Sequence, residues 1–340
     1  MIKIKLGIVA LVSVILTGFI GTTKVDAVTT QENKELSAYK VVETLKNVAE
    51  LEIPYENITN DYGKYISKSD TQTVTMNKDN EIEFISSGNN RIEAGVSYEM
   101  DTDDSYTKKI DNVIVMENDS EDYFITTEVF DGGLRNCFII DKKCEEESFQ
   151  LKLDLPQGSY LEFSKDEYND NKMDGSILIM KDEDTIIGAI GIPWAKDADG
   201  NEVETYYEIS GDKIIQHVKH LGRNVKYPIV ADPVISFKSC FKSGKWITRK
   251  GVVSLSLKPN ATLRASMITG SSSMRKYSWN SVKSKFSSSK KWKNTTSMKN
   301  QYECHWYFAS YKSEFNLEPS RPTTTWANMV AKLCNPYARK

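Results

Sequence analysis

Four residues near the C-terminal end have the types needed to cut a phosphodiester without a metal: His305, Lys312, Glu318 and Arg321. A histidine and a carboxylate can share the general acid and general base roles. A lysine and a guanidinium can stabilise the charge that builds on phosphate oxygens. The same four fit a plainer account, in which Glu318 pairs with Arg321 and the imidazole is packed. His217 and His220 would lie on one side of a helix for a metal, but no third ligand is near in sequence and the segment also reads as a strand. Two acidic turns meet the calcium-loop pattern only in part. Counting from Asp197, Gly200 falls fourth rather than sixth, and the stretch from Asp170 to Gly175 has Lys172 at a ligand position and Lys181 at the twelfth. Both are expected to be polar hairpin turns, with no metal or other cofactor. The sequence holds no Gly-x-Ser-x-Gly, Walker A, His-Glu-x-x-His or Cys-x-x-Cys pattern and leans away from an enzyme.

What surrounds those residues is set partly by compartment. Lys3 and Lys5 precede an apolar run from Leu6 to Ile20, and Val25-Asp26-Ala27 closes a short polar stretch. This is the pattern of a signal peptide, residues 1–27, cut after Ala27. The run is shorter than the ~20 residues that span a bilayer, so the mature chain is expected to be secreted, with no stable membrane span. Thiols outside the cytosol tend to pair. Cys137 and Cys144 are placed to bridge a hairpin end, Cys304 and Cys334 to close a loop near the C-terminal end, and Cys240 is left over, free or displacing one of these partners.

The formal net charge of −3 hides a division. From Val234 to Lys340 there are 20 Lys and Arg and 3 Asp and Glu, a net of +17. Residues 28–233 carry 21 basic and 43 acidic side chains, a net of −22. Five of the six Trp lie in the basic part. Opposite charges on one chain attract where their surfaces meet within the ~8 Å screening length, so the acidic part can act as a counter-surface to the basic one; two independently soluble domains are the bland alternative. Lys290, Lys291 and Lys293 around Trp292 are the group best suited to an anionic surface, cations meeting phosphate while an exposed indole partitions to the interface.

The elements follow from periodicity. A helix is expected over Gln31 to Leu51, with Leu36, Tyr39, Val42, Leu45, Val48 and Leu51 along its buried side and Val41 and Ala49 widening that stripe. From about Gln72 the period becomes two, with strands around residues 73–76, 82–85, 113–116, 123–126, 149–153 and 177–180, and a hairpin over Thr185 to Tyr207 turning at residues 197–201. The fold class is α+β, mainly β: an antiparallel β sandwich or meander with a leading helix, followed by a small disulfide-closed α+β domain. The expected division is residues 1–27 signal peptide, 28–225 acidic β-rich domain, 226–233 extended Pro-containing connector, and 234–340 basic Trp-rich domain. In the last, 252–257 is a strand, Trp279, Val282 and Phe286 share a helix face, part of Ser271 to Asn300 is a mobile loop, Gln301 to Tyr311 is strand-like, and a helix from Trp326 ends near Cys334.

Two segments carry resemblances. Tyr227-Pro228-Ile229-Val230-Ala231-Asp232-Pro233 resembles a motif of secreted Gram-positive proteins that lies just before a variable C-terminal part, which implies a processing junction at Tyr227, Pro228, Asp232 and Pro233. Cys304-His305, Asn316-Leu317-Glu318-Pro319-Ser320-Arg321-Pro322 and Cys334-Asn335-Pro336 together resemble a secreted bacterial family known as domain of unknown function 2599, with Ser320 where that pattern has an aromatic. The resemblance implies location and architecture, not chemistry. Three functions remain open: a secreted precursor whose acidic part masks a cationic, toxin- or antimicrobial-like effector acting on anionic envelopes; an uncut binding module for wall polymers, anionic lipid or extracellular nucleic acid; and a metal-independent nuclease-like enzyme.

Overall fold

A computed structural model describes residues 37–48, 56–69, 72–86, 92–98, 106–117, 123–130, 132–166, 171–236 and 241–336. The signal peptide and Cys240 lie outside the described residues. Helix α1 covers residues 37–48. Its buried side is Ala38, Val41, Val42 and Leu45, while Tyr39 is 52% exposed. Val41, Val42 and Leu45 thus lie in the stripe as expected, and the one departure is Tyr39, beside which the smaller Ala38 makes the close approach to the sheet.

Alternation produces strands from residue 59 onward: β1 Thr59–Asp61, β2 Lys64–Lys68, β3 Gln72–Met76, β4 Ile82–Ser86 and β5 Glu93–Ser97. Next come β6 Tyr106–Ile110, β7 Val113–Glu117, β8 Tyr123–Phe130, β9 Gly133–Ile140 and β10 Ser148–Asp154. After these follow β11 Tyr160–Asp166, β12 Lys172–Asp182, β13 Thr185–Ile190 and β14 Trp194–Lys196. The series closes with β15 Thr205–Ser210, β16 Lys213–Val218, β17 Ile229–Asp232 and β18 Val234–Ser236. One antiparallel sheet has the order β1-β2-β3-β4-β5-β10-β16-β15. The other runs β11-β12-β13-β18-β9-β8-β7-β6, with β17 between β9 and β14. Phe84, Phe149 and Leu151 of the first sheet and Phe138, Ile179 and Ile235 of the second share one buried cluster, which makes a sandwich. Every residue of β8 and β9 is buried, because α1 packs its apolar side on the outer face of that sheet, over Val115, Phe124 and Ile139. A Cβ on Gly133 would lie 2.1 Å from the Ile235 carbonyl oxygen, so only glycine lets β9 meet β18.

Several expectations are corrected here. Residues 226–233 are extended, but they are not a connector: β17 is an internal strand, with Ala231 paired to Phe138 on one side and to Ala195 on the other. Cys137 and Cys144 do not form the expected disulfide. Cys137 packs on the α1 face of β9 and Cys144 against the sandwich interior, so their side chains lie on opposite sides of the sheet. Residues 185–207 do not form one hairpin, since β13 pairs with β12 and β18 while β15 pairs with β16. The turn at Asp197 is polar as expected: its carboxylate accepts from the backbone N–H groups of Asp199 (3.0 Å), Asn201 (2.9 Å) and Lys226 (3.3 Å). Burial by itself would raise this carboxyl, and the Asn201 side chain with these backbone donors more than offsets that, holding it below its ordinary value.

The C-terminal region is a three-stranded sheet, β19 Phe241–Arg249, β20 Val252–Pro259 and β21 Phe315–Leu317, packed on helices α2 Ala261–Thr269, α3 Ser272–Phe286, α4 Thr295–Phe308 and α5 Trp326–Ala331. Asn260 and Ser271 start α2 and α3 by accepting from Leu263 N and Met274 N. Within residues 271–300 the non-helical stretch is 287–294, between α3 and α4, while the strand expected over 301–311 is the end of α4. Met298, Tyr302 and Trp306 recur every fourth residue and pack with Leu255, Leu257 and Phe315, a period that only a helix satisfies. The disulfide Cys304–Cys334 ties α4 to the chain after α5, closing a separation of 30 residues; a loop of that size stabilises by roughly 3–4 kcal/mol.

The start of α3 is set against β11, β12 and β13. Ser272 N donates to the Asp174 carboxylate (2.8 Å), Ser272 Oγ to Ser164 Oγ (2.8 Å), and Ser273 Oγ to the Ile190 carbonyl (3.0 Å). The first turn of α3 holds no acidic residue, so Asp174 supplies the negative charge that a helix N-terminus favours. Ala189 of β13 belongs to the same buried cluster as Trp279 and Tyr302.

Candidate functional site

The lysines of the C-terminal region are its most distinctive surface. Lys242, Lys245 and Lys258 stand on β19 and β20, Lys283 and Lys285 near the end of α3, and Lys290, Lys291 and Lys293 on the loop that follows; all are exposed. None of them carries an ion pair among the described residues. The Phe286 ring ends α3 against β19: it lies edge-on to Trp246 at 6.5 Å, and a Cβ on Gly244 would come within 2.7 Å of it. The two groups of lysines therefore border one another. Trp292, expected to offer its ring to an interface, is half-buried instead. It packs on Trp279 with centroids 5.8 Å apart, and its indole N–H donates to Thr295 Oγ1 at 2.8 Å. The flanking lysines are presented, while the ring holds their loop on α3.

The arginines are spent differently. The Glu318 carboxylate is buried and receives Arg321 Nε, Arg249 at 3.3 Å and Ser254 Oγ at 3.2 Å. Gln301 brackets the same residue, accepting from Glu318 N at 2.8 Å and donating to its carbonyl at 3.1 Å. Arg275 and Glu303 form a second buried pair, at 3.1 Å. His305 is 1% exposed and stacks on Phe315, with rings 4.8 Å apart and nearly parallel. Neither of its ring nitrogens finds a hydrogen-bond partner. Burial, with a further push from the Lys312 charge, takes the imidazole from 6.5 down to about 3. Of the four residues singled out at the start, Glu318 and Arg321 thus meet as an ion pair, Lys312 acts on His305 through its charge, and no contact joins His305 to Glu318 among the described residues.

The histidines weighed for a metal are held apart. His217 contacts Ser148 Oγ at 3.1 Å and Glu208 at 3.0 Å, and His220 contacts the Tyr227 hydroxyl at 2.8 Å and the Glu146 carbonyl at 2.7 Å.

One polar cluster that sequence reasoning did not assemble surrounds the junction. Asp232, 1% exposed, lies on the α1 side of its sheet near the ion pair Arg135–Glu128 and the thiol of Cys137. Neither Asp232 carboxyl oxygen makes a hydrogen bond of ordinary geometry. Burial drives this carboxyl up to about 7, the Arg135 charge lowers it, the Glu128 charge raises it, and a long or bent hydrogen bond from the Trp194 side chain lowers it. From the sandwich interior the Tyr207 hydroxyl donates to the Asp232 main-chain carbonyl at 3.1 Å. Separations of about a hundred residues leave no local signal for such a cluster.

A three-stranded sheet on four helices, closed by one disulfide and bordered by lysines, is the architecture that the C-terminal motifs occupy. Residues 241–337 match the family described as protein of unknown function (DUF2599), the one that those motifs resemble. No curated protein matches the chain.

Proposed function

We propose that the protein is an exported carrier whose acidic sandwich bears a cationic C-terminal effector, and that the effector engages anionic envelope polymers or lipid. The observation that supports this best is the bordering set of exposed lysines without acidic partners. Ammonium groups left free in this way bind polyanions by replacing their counterions, and each contributes about 1 kcal/mol near an anionic surface. Two of the three acids of the C-terminal region do not compete, since Glu303 and Glu318 are consumed by Arg275, Arg249 and Arg321, and the third, the exposed Glu314, accepts from Ser256 Oγ at 2.9 Å. Removal of the leader after Ala27 and release outside the cell belong to the same reading.

The test uses the mature chain with vesicles of phosphatidylglycerol and phosphatidylcholine, and with teichoic acid. Binding is expected to phosphatidylglycerol vesicles or teichoic acid and not to phosphatidylcholine alone, to weaken steeply with salt, and to drop on the order of 100-fold when Lys290, Lys291 and Lys293 are all changed to Ala. Equal binding to neutral and anionic vesicles, or an unaffected triple variant, would sink the proposal.

A further inference from the structure

The junction between the acidic and basic parts is sealed from outside. Ile229, Val230 and Ala231 are wholly buried and β17 is paired along both edges, so a protease meets no accessible bond there. The same place holds what an internal reaction needs. Asp232 precedes Pro233, whose nitrogen is a tertiary amide and leaves more readily than an ordinary peptide nitrogen. The Trp194 side chain approaches the Asp232 carboxyl as a hydrogen-bond donor, but no bond of ordinary length and angle fixes that carboxyl in place. Tyr207 already donates to the carbonyl oxygen of the bond that would break. Both flanks are fixed: Ala231 is laddered to Phe138, Asn136 N donates to the Pro233 carbonyl at 3.2 Å, and Val234 is laddered to Arg135.

We propose that the chain cuts itself between Asp232 and Pro233, with the Asp232 carboxyl as nucleophile and the Tyr207 hydroxyl holding the developing oxyanion. A carboxyl oxygen attacks the main-chain carbonyl carbon of the same residue and forms a five-membered cyclic anhydride. The carboxyl proton passes to the Pro233 nitrogen as the C–N bond breaks, and Pro233 leaves as a secondary amine. Water then opens the anhydride and gives Asp232 its two carboxyl groups. One water is consumed and no oxidant or metal is needed. Holding nucleophile and carbonyl in one orientation is worth large factors in rate, and a single oxyanion donor contributes about 100-fold.

The step needs the protonated carboxyl, and its surroundings supply that state near neutral pH. Glu128 of β8, Arg135 and Cys137 of β9 and Lys196 beside Trp194 of β14 are the charged or titratable groups on that side, Tyr207 of β15 reaches in from the other, and Lys40, Glu43 and Lys46 of α1 face solvent. With the carboxyl at about 7, cleavage is expected to fall roughly 100-fold between pH 6 and pH 9.

The inference rests on the carrier-and-effector reading, because the cut would separate the two charged parts. Purified mature chain is incubated at pH 6 and pH 9 and followed by intact mass. Expected are two fragments ending at Asp232 and beginning at Pro233, absent from Asp232→Asn, slowed about 100-fold in Tyr207→Phe, and not formed at that rate in urea at the same pH. A folded parent that stays intact at pH 6 overturns the proposal, and so does cleavage that survives Asp232→Asn or proceeds equally fast in urea. Tyr207→Phe keeps the test decisive if the Asn variant fails to fold. Vesicle binding by intact Asp232→Asn is measured in parallel: binding without self-cleavage in the parent leaves the effector reading standing and removes this one, whereas cleavage without binding does the reverse.

Discussion

His305 shows how a residue type with obvious chemistry can be put to another use. Its ring is stacked on Phe315 and kept neutral by burial and by Lys312. A neutral imidazole without hydrogen bonds behaves as a flat apolar plate, and it costs stability in acid. Below pH 6.5 the unfolded chain gains a proton there, while the folded chain does not until about pH 3. Stability present above 6.5 is therefore lost as pH falls through that window. His305→Phe preserves the stack and removes the titration. Relative to the parent, the variant is expected to gain about 2 kcal/mol more at pH 5 than at pH 8, read from urea unfolding at both values. Identical pH dependence in the two proteins would mean that His305 titrates as an exposed side chain. Sequence alone brought His305, Lys312, Glu318 and Arg321 together by proximity in the chain. That proximity did produce the Glu318–Arg321 pair, three residues apart. It could not supply Arg249 and Ser254, which reach Glu318 from a hairpin more than sixty residues away.

At the scale of elements, the serine run before α3 was the most misleading stretch. Serine, lysine and the absence of acids are a loop composition. Ser271, Ser272 and Ser273 are buried at 0–1% exposure all the same, because a small hydroxyl side chain permits close packing on β11–β13 and still meets a partner there. Ser272→Val replaces the hydroxyl by a methyl and adds a second methyl at a wholly buried position, so Ser164 loses its partner and the seam must also take extra bulk. The expected cost is about 1–3 kcal/mol, measured by chemical denaturation, and Ser272→Ala should cost less because it adds no bulk. If the Val variant is as stable as the parent, the seam is not held by these hydrogen bonds. The β-strands were far more legible. Residues 73–76, 82–85, 113–116, 123–126, 149–153 and 177–180 all fall inside strands, because one buried face writes a period of two directly into the chain. The aromatic run of α4 misled for the opposite reason. It is apolar on more than one side, since Tyr302 and Trp306 enter the main core while Cys304 belongs to a second cluster with Met329.

For the molecule as a whole, the basic part does not close its own core. Ala189 and the partly buried Ile186 of β13 pack into it, and Asp174 caps its longest helix. A fragment spanning residues 241–337 should therefore unfold at lower urea than the same region within the mature chain, by several kcal/mol for the lost apolar burial and cap. Equal midpoints, followed by tryptophan fluorescence, would show that it folds independently. This also bears on how the opposite charges are used. Contact between the two parts is made by serines, one carboxylate on a helix N-terminus and apolar side chains, and the ion pairs of Arg249, Arg275 and Arg321 stay within the basic part. The lysines are left outward, where charge acts on partners rather than on the fold.

By itself the sequence determined the mainly-β class, the positions of several strands and the asymmetry of charge. Each of these is a property of neighbouring residues or of composition, and survives any arrangement in space. Only the tertiary structure decided that β17 is an internal strand, that Cys137 and Cys144 face opposite sides of one sheet, and that Asp232 meets Tyr207. Those facts depend on which distant strands become neighbours, and that is fixed by the fit of whole faces against one another rather than by any local pattern of side chains.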